Sequence, residues 1–222
     1  MKKLLSATTI VTAALVTGCA TTPIPKADYS AYRQHMPKSI LVLPPVNDSP
    51  DVKASHSLLS SVTAPVAEAG YYVFPVALVE QTFKENGLSN PAEIHQVSAQ
   101  KLQEIFGADA ALYINVTEYG SKYQVLQSTT TVAANAKLID LKTGTQIWQG
   151  THRISVADGN DHGAGLVGLL VNAAISQIAN NLSDKAYPIA GMVNSQMLSP
   201  IANPATGLLH GARSTQYVPI GQ

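Results

Sequence analysis

One cysteine, at position 19, is all that this chain of 222 residues contains. A lone cysteine excludes an internal disulfide, a redox pair and a multi-cysteine metal site, so packing must hold the fold. Charge is sparse as well: Asp, Glu, Lys and Arg make up 13% of the residues, 14 of each sign. No basic field exists to hold nucleic acid. No apolar run reaches the roughly 20 residues that a membrane-spanning helix needs. Catalytic signatures are missing too. There is no Gly-x-Ser-x-Gly elbow, phosphate-binding loop, Ser-x-x-Lys pair or His-Glu-x-x-His pattern, and the six histidines, at 35, 56, 95, 152, 162 and 210, have no paired-ligand spacing. Neither a cofactor nor a metal is expected, and the role expected is non-enzymatic.

What is present begins at the amino terminus. Lys2 and Lys3 precede a short apolar run, Leu4 to Val16, and small residues follow, the layout of a secretory signal peptide. Val16-Thr17-Gly18-Cys19 resembles the lipobox of bacterial lipoproteins, and the chain's only cysteine stands at its invariant position. The resemblance implies that residues 1–18 are removed and that Cys19 is lipidated as the first mature residue. Three acyl chains with some 40 methylenes, at about 0.8 kcal/mol each, give on the order of 30 kcal/mol of membrane affinity. Such a protein stays tethered. The residue after the cysteine is Ala20, where lipoproteins retained at the inner membrane carry Asp; the resemblance therefore implies the outer membrane, facing the periplasm. Loss of Lys2 and Lys3 leaves the mature part slightly acidic.

Residues 19–38, rich in proline and polar residues, read as a flexible tether with a reach of about 60 Å when extended. Residues 39–198 form one α/β unit, and the prolines and glycines of 199–222 make an irregular tail that either wraps the domain or is free. Within the unit, Ser39 to Leu43 is apolar throughout and stopped by Pro44-Pro45, as expected of a central strand buried on both faces. A helix over His56 to Ala69, kinked or broken at Pro65, leads to a strand over Tyr71 to Phe74, an order that favours a parallel pair. Helices follow over Val76 to Asn86, from the Asn90-Pro91 start, and from Ser98 to Gly107. Ala110 to Thr117 reads as a strand. Tyr123 to Leu141 and Thr145 to Val156 read as a long hairpin, with Val132, Ala134, Ala136 and Leu138 on one face and Thr131, Asn135 and Lys137 on the other. Ala186 to Leu198 reads as a final helix interrupted near Pro188.

The join of that hairpin carries a second resemblance. Ile139-Asp140-Leu141-Lys142-Thr143-Gly144-Thr145-Gln146-Ile147-Trp148-Gln149-Gly150 resembles an apolar-Asp-apolar-x-Thr-Gly-x-x-apolar-Trp-x-Gly hairpin. That hairpin is shared by curli-secretion lipoproteins, lipoprotein activators of peptidoglycan synthases and the TolB amino-terminal domain. Over residues 19 to 211 the chain looks most like an outer-membrane lipoprotein family of unknown function from Gram-negative bacteria. The resemblance implies an α/β (α+β) domain with three-layer character: a mixed sheet, a long C-terminal β-hairpin and packed helices. Asp140, Gly144 and Trp148 are then structural, with Asp140 bonding the turn, Gly144 supplying positive φ and Trp148 supplying core area.

Two further patterns look chemical and are better read otherwise. Gly163-Ala164-Gly165-Leu166-Val167-Gly168 matches a dinucleotide fingerprint, but its helix leads to Asp184 and a proline-containing segment instead of a parallel strand. Asp158 to Gly163 imitates a calcium loop but has Leu169 where a bidentate Glu is needed. The helix of Leu166 to Leu182 is apolar on nearly every side, which suits burial in its own domain or a subunit interface. The expected partners are the membrane, through the lipid, and other envelope proteins, lipoproteins among them; the apolar helix also allows a homo-oligomer. The function expected is an envelope interaction or assembly module, the alternative being a subunit of a curli-secretion-like export or pore complex. The threonines of 129–131 and Asn135 interrupt the apolar band that a barrel strand requires, which favours the module.

Overall fold

A computed structural model describes residues 27–124, 127–157 and 184–219. The central strand is where the sequence puts it. In β1 (Ser39–Val42) and the residue after it, Ile40, Leu41, Val42 and Leu43 are all fully buried. The cause is cover on both faces, with Ile40 and Val42 in one core and Leu41 and Leu43 in the other, while β1 pairs in parallel with β3 (Tyr72–Val73) along one edge and with β4 (Ala110–Gln124) along the other. The short β2 (Val46–Asn47) also pairs with β4 in parallel. β4, β5 (Gln127–Asp140) and β6 (Gln146–Ala157) then run antiparallel. The sheet is therefore mixed and six-stranded, in the order β3-β1-β4-β5-β6, and the fold is the mixed α/β architecture expected.

Helices lie on both faces, but unequally. On one face α1 (Ser30–His35), α2 (Ala54–Glu68) and α6 (Ala186–Leu198) bury a core of Leu58, Val62, Val66, Ile114, Val132, Leu138, Ile189 and Val193. On the other, α3 (Val76–Glu85), α4 (Pro91–Ile94) and α5 (Ala99–Phe106) cover Leu41, Leu43, Ala111 and Leu141 with Val79, Phe83 and Leu102. That second layer stops at β4. Beyond it Asn135, Lys137, Gln149, Thr151 and Arg153 are exposed on β5 and β6, leaving a terrace of bare sheet beside a wall of helix.

Local chemistry sets the helix ends. Asn90 Oδ1 accepts from Ala92 N at 2.9 Å and Ser98 Oγ from Lys101 N at 3.3 Å, so each caps its helix, and Gly107 ends α5 at φ 67°. Pro65 lies within α2 without breaking it. Pro188 falls in the first turn of α6, where a missing N–H costs nothing, so this helix is uninterrupted.

Two expectations are corrected, and of the two readings of the tail one is decided. The single strand over Tyr123 to Leu141 is the end of β4 and the whole of β5, with Gln124 opposite Gln127; Val125-Leu126 lacks the Gly, Pro, Asn or Asp that marks a turn. The tether does not extend to residue 38. Tyr32 in α1 is fully buried and its hydroxyl bonds that of Tyr71 at 2.8 Å, while Tyr29 donates to Gly207 O at 2.6 Å. Large aromatic area lets a short segment dock where a purely polar one could not. The tail wraps the domain up to Tyr217. Tyr71 donates to Leu209 O at 2.6 Å, Leu208 is buried, and the carbonyls of Ala69 and Gly70 beyond α2 accept from Gly211 N at 2.8 Å and Arg213 N at 3.0 Å. The tail thus supplies donors that helix ends otherwise lack. The helix over Leu166 to Leu182, the Asp158 to Gly165 loop and the Gly163 to Gly168 pattern lie outside the described residues.

Candidate functional site

The motif hairpin is a brace. Asp140 is buried, and its Oδ1 accepts from Thr143 N and Thr143 Oγ1, both at 2.8 Å, while its carbonyl accepts from Gly144 N at 2.8 Å. Oδ2 of the same carboxylate lies 3.4 Å from His35 Nδ1, tying the turn to α1. Gly144 sits at φ 73° with open space where a Cβ would go, so any cost of substitution there comes from the backbone alone. Gly144→Val is accordingly expected to destabilise the domain by roughly 1 kcal/mol or more. Thermal denaturation checks this, and an unchanged Tm would refute the turn's role.

Trp148 is the other half of the brace. β6 slips register between its pairings Leu138↔Trp148 and Ile139↔Gln146, and the extra residue lets neighbours Ile147 and Trp148 both enter the core. The indole N–H donates to Thr206 O in the tail at 2.9 Å. Gly150 makes room for the ring: a Cβ there would lie 2.5 Å from Trp148 Cζ2. The motif's last glycine is therefore a packing partner of its tryptophan, a role that sequence reasoning missed although Trp and Gly two apart on one strand share a face. Asp140 thus meets α1 and Trp148 meets the tail, while Gly144 shapes the turn between them. Cys19 and Ala20 lie outside the described residues.

A groove of about 990 Å³ takes in the terrace and, round the edge of β6, the brace's own Trp148 and Gly150. Its floor is two cross-strand rows, Tyr113–Lys137–Gln149 and Asn115–Asn135–Thr151. Its wall includes Val46 and His95. His95 Nε2 lies 2.9 Å from Pro44 O, a pure acceptor, so that nitrogen carries the proton, and burial, with Lys137 adding to it, lowers the imidazole's affinity for a second proton. Lys137 Nζ sits over the Tyr113 ring at 5.1 Å. The groove continues past the edge of β6 to Asp28, Ser30 and Thr206.

One hydrogen-bonded chain superficially resembles a catalytic relay. Ser57 and Tyr119 share a hydrogen bond at 2.7 Å, and Tyr119 donates to Asp184 Oδ2 at 3.2 Å. Burial, with Asp184 adding to it, pushes the Tyr119 phenol up to about 12. A phenol that keeps its proton at neutral pH cannot serve Ser57 as general base, so the chain ties α2 to β4 structurally. Among the described residues no cluster of His, Cys, Asp and Glu could hold a metal ion, and no helix is long and apolar enough to cross a membrane.

Comparison with known proteins places this fold. The model of the family described as "Putative lipoprotein GNA1162-like" matches residues 27–213, which include the hairpin, the terrace and most of the tail. The chain belongs to the GNA1162-like lipoprotein family. A relative in Neisseria meningitidis serogroup B, described as "Putative lipoprotein NMB1124/NMB1162", is 46% identical over 204 residues, covering 92% of this chain and 94% of its own. The crystal structure of lipoprotein GNA1162 from Neisseria meningitidis is similar at 54% identity and TM-score 0.55, covering 65% of this chain and all of that one. The GNA1162-like match begins at residue 27, which is also where the described structure begins.

Proposed function

We propose that this member of the GNA1162-like family is anchored to the outer membrane through a lipid on Cys19, faces the periplasm, and acts there as a non-enzymatic interaction or assembly module. The observation that carries this reading is the docking of residues 27–38. With Ala27 N bonded to Ala205 O at 3.0 Å and Tyr32 fully buried, only residues 20–26 separate the domain from Cys19. Seven residues reach at most about 25 Å. An enzyme acting on soluble substrates gains nothing from so short a leash, whereas a module that meets other envelope components gains a high effective concentration at one surface. Family membership supports the anchor, and the Tyr119 relay offers no general base.

Lysine-reactive crosslinking in intact cells, followed by mass spectrometry, tests the proposal. The expected result is a reproducible set of adducts with envelope proteins that changes in Ala20→Asp, a variant that keeps the lipid and moves the protein to the inner membrane. An adduct set identical in the wild type and in a relocated Ala20→Asp protein, or none in either, would contradict the reading.

A further inference from the structure

We infer that the loop of residues 199–206 lies against the lipid surface that holds the Cys19 anchor, with Ile201 seated among the headgroups, so that the domain meets its membrane in one fixed orientation. The inference rests on the anchor proposed above and deepens it. The loop is held beside the point where the tether joins the domain. Three successive carbonyls, of Ala205, Thr206 and Gly207, accept from Ala27 N at 3.0 Å, the Trp148 indole N–H at 2.9 Å and the Tyr29 hydroxyl at 2.6 Å. The loop is also closed on itself. Ser199 Oγ accepts from Ile201 N and Ala202 N, both at 3.2 Å, Ser199 O from Asn203 N at 3.0 Å, and Asn203 O from Gly207 N at 2.7 Å. A Cβ at Gly207 would lie 2.5 Å from Ser199 O, so a glycine is what lets the loop close this tightly. Fixed in this way, the loop still carries Ile201 71% exposed, with Ala202 and Pro204 exposed near it.

An exposed isoleucine is ordinary by itself; its place gives it a role. Residues 20–26 reach at most about 25 Å, so a lipid on Cys19 keeps the contact of Ala27 with Ala205 within that distance of the bilayer, and the loop with it. Charge agrees. From Lys185 to Gln222 there is no Asp or Glu, and the charged residues are Lys185 and Arg213. On the tether side Asp28 is the single acid of residues 27–38 and its carboxylate accepts from Ser30 N at 2.9 Å, while Arg33 and Lys38 are exposed cations. Anionic headgroups attract such a surface and repel an acidic one. A second copy or another protein fits the patch less well. Stable partners each bury about 800 Å², far more than one Ile, one Ala and one Pro supply. A loop delivered to the bilayer by a covalent lipid needs little affinity of its own; its contact has only to select which side of the domain turns to the membrane.

The test uses the mature lipidated protein, reconstituted in vesicles of phosphatidylethanolamine and phosphatidylglycerol. Mass spectrometry of its amino-terminal peptide first reads the lipid on Cys19. With that sulfur alkylated, Ala202→Cys supplies the one free thiol for an environment-sensitive nitrobenzoxadiazole dye. Gln100→Cys, exposed on α5 over the other face of the sheet, is the control. At position 202 the dye is expected to emit at shorter wavelength than in water and to be quenched by brominated lipid chains; at position 100 it should emit as in water. Adding Ile201→Asp should abolish the shift at 202 with Tm unchanged, and Ile201→Leu should keep it. Water-like emission at 202 in a protein whose lipid is confirmed would overturn the inference and leave the anchor standing. A shift equal at 202 and 100, one that survives Ile201→Asp, or one that grows with protein density in the membrane, as pairing of two copies requires, would overturn it too. An unmodified Cys19 would remove the anchor and this inference together.

Discussion

Trp148→Ala is expected to cost about 3 kcal/mol or more, the largest effect of any single change in the hairpin. The indole is buried, lies across Gly150, and donates its N–H to Thr206. Removing it leaves a cavity that neighbours cannot close, because Ile147 and Leu138 are fixed by the register of β5 and β6. It also strands the Thr206 carbonyl and loosens the tail. For a domain of this size each kcal/mol moves Tm by roughly 2–4 °C, so a fall of about 6–12 °C is expected. A Tm within about 2 °C of wild type would mean that the ring is not the hairpin's keystone. Gly150→Val should approach the same loss from the other side, since its added carbons would meet the indole.

Gly211→Val is expected to cost about 2 kcal/mol or more and to release the tail. A Cβ at Gly211 would lie 2.6 Å from Gly70 O, and Gly70 in turn has φ 99° with its own Cβ position 2.6 Å from Ser214 N. Neither backbone can retreat, because Gly211 N and Arg213 N are bonded to the carbonyls of Ala69 and Gly70. Limited proteolysis checks the outcome: new cleavage after residue 198 in the variant, against protection in the wild type. Equal protection with an equal Tm would show that the tail's contact with the end of α2 carries no stability.

How far the sequence revealed this structure depended on whether a residue's signal was local. Ser39 to Leu43 was legible because continuous apolarity has one cause, cover on both faces. Asn90 and Ser98 were legible because a cap is satisfied within its own turn. Gly144 and Asp140 were legible for the same reason. The break between β4 and β5 was not, since alternation runs through Val125-Leu126 without a breaker. Tyr29, Tyr32 and Tyr71 were not, because their partners stand up to 178 residues away, as in Tyr29 to Gly207. The terrace was half legible. The polar face of Asn135 and Lys137 showed in the alternation, but the row formed with Asn115 and Thr151, and the helical layer that ends beside it, exist only once the strands are in register.

The proposed anchor rests on one atom, the sulfur of Cys19. Cys19→Ala should abolish radiolabelled palmitate incorporation, because no other cysteine exists in the chain, and the protein should leave the membrane fraction or persist as an uncleaved, unlabelled precursor. The measurement is palmitate label and membrane fractionation of wild type and Cys19→Ala side by side. Label is expected in the outer-membrane fraction for the wild type and none for the variant; label that persists without Cys19, or a wild type that never takes it up, would rule out the anchor.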